Sequence, residues 1–61
     1  MLKVGSRVFH WVDDIEGFRE FKIVNDFGQS RYKLEDECGY TLVRVLDNSR
    51  DYRFMNYIEI K

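Results

Sequence analysis

Turn-forming residues punctuate this chain at near-even spacing, and between them lie only short runs with two-residue hydrophobic alternation. Asp13-Asp14-Ile15-Glu16-Gly17 separates a first strand, about Lys3 to Val12, from a second, about Phe18 to Val24. Asn25-Asp26-Phe27-Gly28-Gln29 leads to a third, Arg31 to Leu34, and Glu35-Asp36-Glu37-Cys38-Gly39 to a fourth, Tyr40 to Leu46. Asp47-Asn48-Ser49-Arg50-Asp51 precedes the last, Tyr52 to Ile60. Gly, Asn and Asp stand where positive φ or side-chain-to-backbone bonds are needed. The chain lacks alanine and proline, while Val, Ile, Phe, Tyr and Thr abound, so ambiguous segments tilt towards strand. We expect an all-β fold: a small five-stranded barrel or rolled antiparallel meander, one domain over residues 1–61.

Alternation assigns the faces. Phe21 and Ile23 oppose Glu20 and Lys22, and Tyr32 and Leu34 oppose Arg31 and Lys33. In the fourth strand Thr41, Val43 and Val45 oppose Leu42 and Arg44. The expected core is Phe21, Ile23, Tyr32, Leu34, Val43 and Val45, joined by Val4, Val8, Phe54, Ile58 and Ile60. The first strand is apolar on both sides, with Val8 and Val12 on one and Phe9 and Trp11 on the other, which is unusual for a strand with one face in water. A core of about a dozen side chains is all that so short a chain encloses, so a deep substrate cleft is not expected.

Met55-Asn56-Tyr57-Ile58-Glu59-Ile60 resembles the closing segment of Src-homology-3 domains, where such a run makes one 3₁₀ turn before the last strand. Val4-Gly5-Ser6-Arg7-Val8 is similar to the first strand of the wider Tudor and KOW group of small barrels. The resemblance covers about a quarter of the chain and implies a barrel topology. The chain has no Ala-Leu-Tyr-Asp-Tyr-type segment, no mid-chain tryptophan pair and no proline before Asn56, so it does not imply recognition of proline-rich ligands.

Catalytic machinery is not expected. His10 is the sole imidazole, and no Ser, Thr or Cys stands in a nucleophile-elbow context beside it. Cys38 sits among acidic residues, the wrong surroundings for a nucleophilic thiolate. One Cys and one His cannot close a four-ligand zinc site, and neither Asp13-Asp14-Glu16 nor Glu35-Asp36-Glu37 follows calcium-loop spacing. We therefore expect no metal, no cofactor and no small-molecule substrate. No stretch approaches membrane-spanning length or reads as a signal peptide, and a lone cysteine fits a reducing compartment, which together point to the cytoplasm.

Two residue sets point to binding. Ten aromatic rings exceed what a core of this size holds, leaving Phe9, Trp11 and Tyr57 among the surplus, with Asn56 beside Tyr57. Exposed aromatics anchor protein interfaces, and Trp11 is the leading candidate. Lys22, Arg31, Lys33 and Arg44 share the outward side of the second, third and fourth strands, with Glu20 to neutralise part of them. Packing Phe21 and Ile23 on Tyr32 and Leu34 places Lys22 opposite either Lys33 or Arg31, a like-charge pair that an acidic surface or phosphate backbone would relieve. The leading expectation is a non-enzymatic protein-interaction module or small regulator that binds another protein or itself. A compact phage-encoded protein acting on a host protein would have this character. The alternative is a nucleic-acid-binding barrel, which the net charge of −1 disfavours.

Overall fold

A computed structural model describes residues 2–46 and 56–60. It contains five strands: β1 (Arg7–Asp13), β2 (Gly17–Gly28), β3 (Arg31–Glu35), β4 (Thr41–Val45) and β5 (Tyr57–Ile60). They form one antiparallel sheet in the order β4-β3-β2-β1-β5, with no helix among the described residues. The all-β expectation is met, and the sheet is not closed by a ladder between β4 and β5. The expected 3₁₀ turn, Phe54 and the first part of the expected last strand lie outside the described residues.

The second strand organises the sheet. At 12 residues it is much longer than the stretch expected from Phe18 to Val24. Its first half pairs with β1, from Asp13↔Gly17 to Arg7↔Lys22. Its second half pairs with β3, from Lys22↔Glu35 to Gly28↔Arg31. The register shifts between Ile23 and Asn25 and again between Asp26 and Gly28. Such bulges bend a strand and sharpen its twist, which lets one strand serve two sheet halves. The supposed turn at Asn25 to Gln29 is thus mostly strand. The reversal is made by Gln29 and Ser30 alone, both at positive φ (55° and 63°), a two-residue hairpin of the hand that suits twisted strands.

One face carries the core. Val8, Phe21, Ile23, Tyr32 and Leu34 are buried on it, as expected, and Leu2 and Leu46 close it from outside the strands. Val12, Leu42 and Tyr57 pack against this cluster. Directly paired residues share a face. Leu34↔Leu42 and Tyr32↔Arg44 therefore place Leu42 and Arg44 on the core side, while Lys33↔Val43 and Arg31↔Val45 send the valines outward. This corrects the expected phase of β4: Val43 and Val45 are exposed, and so are Val4 and Ile58. Ile60 is only partly buried. Because β4 is at the sheet edge, Arg44 reaches water from the core side, and its guanidinium donates to the Val43 carbonyl at 2.9 Å.

Asp36, just past β3, is the buried carboxylate that holds the turn into β4. Its Oδ1 accepts the backbone N–H groups of Cys38 and Tyr40, both at 2.9 Å. Its Oδ2 accepts from Arg19 at 2.9 Å. The Arg19 guanidinium also lies over the Phe21 ring, 5.6 Å from its centroid.

Candidate functional site

The outward face of β5, β1 and β2 is where the sequence and the coordinates meet most directly. Cross-strand pairing stacks Ile58 beside Phe9 and Trp11 beside Phe18. Phe9 and Trp11, two apart on β1, join these pairs into one apolar ladder. The four side chains are 40% (Phe9), 41% (Trp11), 45% (Phe18) and 48% (Ile58) exposed, so each is half open to water in a row on one surface. Trp11 and Phe18 meet edge to face, with centroids 5.2 Å apart and planes at 75°, a geometry aromatic quadrupoles favour. Phe9 and Trp11 stand where the alternation of β1 put them. Phe18 joins them from β2, and Ile58, expected in the core, stands outside it.

Beyond Trp11 the ladder runs into the β1–β2 turn. Trp11 Cζ3 lies 3.8 Å from where a Cβ on Gly17 would stand, and Gly17 has φ +67°, so this position suits glycine. Asp13 Oδ1 accepts the backbone N–H groups of Ile15 (2.9 Å) and Glu16 (2.7 Å), an Asx turn that leaves Ile15 94% exposed at the tip.

The structure keeps Lys22, Arg31 and Lys33 on the outward side and moves Arg44 to the core side. Lys22 pairs with Glu35, not with Lys33 or Arg31, so the like-charge contact expected from alternation is absent. The reversal at Gln29 and Ser30, later than the expected turn, sets that register together with the two shifts before it. Lys33 and Arg31 face outward beside Val43 and Val45, and Arg44 is on the other side of the sheet. Glu20, cross-strand from Phe9, meets Arg7 at 3.6 Å.

Asn56 and Tyr57 are built into the framework. The Asn56 carbonyl accepts the Trp11 backbone N–H at 2.9 Å and the His10 Nδ1–H at 2.9 Å. Its side-chain amide donates to the Val45 carbonyl at 2.7 Å, joining the end of β4 to the start of β5. Tyr57 lies on the core side opposite His10, which corrects its expected place among the surface rings.

His10 is buried, and burial lowers its pKa below the usual 6.5, helped by the Arg44 charge and opposed by the Asn56 bond. The unfolded chain therefore takes up a proton near pH 6.5 that the folded chain refuses until lower pH. Stability from this residue is complete above pH 6.5 and falls as the pH drops below it. Urea midpoints measured from pH 8 down to pH 5 are expected to decline, and to decline less in His10→Gln. A wild-type profile no steeper than that of the variant would remove His10 as the cause.

A cleft of about 580 Å³ opens where β3 leaves β2, lined by Arg19, Glu20, Phe21, Lys22, Glu35, Asp36 and Glu37. Its Phe21 floor is sealed and its Arg19 is held by Asp36 and, at 3.5 Å, by Glu16. Among the described residues no cluster of His, Cys, Asp and Glu has metal-binding geometry, and no helix is long and apolar enough to cross a membrane. Compared with protein-family models, curated proteins and solved structures, the chain matches none of them.

Proposed function

We propose that this chain is a non-enzymatic protein-interaction module whose docking surface is the outer face of β1, β2 and β5, with Trp11 as its anchor. The ladder of Phe9, Trp11, Phe18 and Ile58 carries this reading, because half-exposed rings in register form a continuous apolar surface. Aromatic side chains bury about 150–250 Å² each when covered, so the three rings leave roughly 200–300 Å² of aromatic surface in water. That approaches the largest apolar patches of ordinary monomers, which are often functional. It is well short of the roughly 800 Å² per partner of a stable standard interface. The footprint suits a short segment of a partner better than a second whole copy. Glu59, turned inward on edge strand β5, also works against pairing of two such edges.

Two features support a small barrel of the Src-homology-3, Tudor and KOW kind. They are the long bent strand common to both sheet halves and the Asn56 bridge from β5 towards β4. The nucleic-acid reading loses support, since Arg44 leaves the outward set and Glu35 stands opposite Lys22.

The test is capture of the partner by wild type and by Trp11→Ala, each checked for native fold by NMR. A central aromatic anchor costs about 2 kcal/mol or more when truncated, so the partner's affinity should fall at least ~30-fold. Raising salt should weaken wild-type binding only modestly, whereas phosphate contacts would lose affinity steeply. An unchanged affinity in folded Trp11→Ala would overturn the proposal.

A further inference from the structure

We infer that the segment docking on this ladder is basic, presenting Lys or Arg beside the apolar side chains that cover Trp11 and Phe18; this rests on the proposed protein-binding role. The charges around the ladder are unevenly matched. At the end away from the β1–β2 turn, Arg7 lies cross-strand from Lys22, and two acids answer the pair: Glu20 at 3.6 Å from Arg7, and Glu35 cross-strand from Lys22 on β3. At the turn, Glu16 is bridged to Arg19, while Asp13 and Asp14 have no ion pair among the described residues. One Asp13 carboxylate oxygen is engaged by backbone amides, and that bond holds the turn. The surplus charge beside the ladder is therefore negative, and it stands at the Trp11 end, in the β1–β2 turn. Ile15, between Asp14 and Glu16 in the chain, stands almost fully exposed at the tip of the same turn. A basic segment covers the rings and neutralises the turn together; an acidic one sets like charges side by side. Rim charges of this kind select partners and speed encounter more than they add affinity.

Two synthetic peptides as long as β2 test the inference. One alternates Lys with Val and Phe, and the other replaces each Lys by Glu; binding is read by anisotropy at low salt. The lysine peptide should bind wild type at least tenfold more tightly than the glutamate peptide. Asp14→Lys should weaken the lysine peptide roughly 3- to 10-fold and narrow the preference, as loss and reversal of one rim charge implies. Phe9→Ser, checked for fold, should weaken it further. Equal binding of the two peptides, preference for the glutamate peptide, or indifference to Asp14→Lys overturns the basic partner; sensitivity to Phe9→Ser in those cases leaves the ladder standing. Indifference of both peptides to Phe9→Ser sinks the ladder and the inference together. Absence of binding by either peptide, or binding to phosphatidylcholine vesicles in their place, overturns the inference.

Discussion

Phe21→Ala is expected to leave most of the chain unfolded at 25 °C, while Phe18→Ala, three residues earlier on the same strand, stays folded. Phe21 is 1% exposed at the centre of the core, against Val8 across β1. Truncating such a ring costs about 3–5 kcal/mol, the lost transfer energy plus the cavity left behind. A core this small rarely supplies more than about 3–5 kcal/mol in total, so the variant consumes the whole margin. Phe18 is 45% exposed and loses chiefly its edge-to-face contact with Trp11, about 0.5–1.5 kcal/mol. Urea titrations followed by circular dichroism separate the two. Similar midpoints for both variants would mean that the two faces of β2 are not inside and outside as described.

That face assignment is the part of the fold most legible in the sequence. From Glu20 to Ile23 and from Arg31 to Leu34 charged and apolar residues alternate, so Phe21, Ile23, Tyr32 and Leu34 have only one consistent side to occupy. In β4 the signal was ambiguous. Thr41, Val43 and Val45 form a β-branched row, and the competing row of Leu42, Arg44 and Leu46 contains a charge. The coordinates select the second row, because an edge strand lets the arginine stem lie along the core while its guanidinium reaches water. The last strand misleads in the same way. Tyr57-Ile58-Glu59-Ile60 reads as isoleucines in and glutamate out, yet pairing with β1 places Glu59 beside Val8 on the core side and Ile58 beside Phe9 outside.

The candidate site was half legible for related reasons. Phe9 and Trp11 share β1 with Val8 and His10, and a strand apolar on both sides must leave one side over. Ile58 completes the ladder only through its register with β1, which no local pattern encodes. Grouping the basic set depends on a second strand that ends at Val24 and turns at Asn25 to Gln29. The late reversal at Gln29 and Ser30 sets Lys22 against the acidic end of β3, the shift at Val24 selects Glu35 there, and nothing in the composition of Lys22-Ile23-Val24-Asn25 marks that shift.

Asp36→Ala carries the second large effect, and it tests how the two sheet halves are held together. The Asp36 carboxylate is the shared acceptor for the backbone amides of Cys38 and Tyr40 and for the Arg19 guanidinium. Each part-buried amide left without a partner costs about 1–3 kcal/mol. The Arg19 side chain is partly exposed and rehydrates, so its share is discounted. A total of about 2–4 kcal/mol follows, close to the stability available. Asp36→Asn keeps an oxygen for the turn and gives up only the charge, so it should cost distinctly less. Urea midpoints rank the three proteins, and amide exchange localises the change: Cys38 and Tyr40 should lose protection in Asp36→Ala before the β1–β2 pairs do. Should Asp36→Ala unfold at the wild-type midpoint, the turn amides must be satisfied by some other acceptor, and the β3–β4 pairing would hold without this carboxylate.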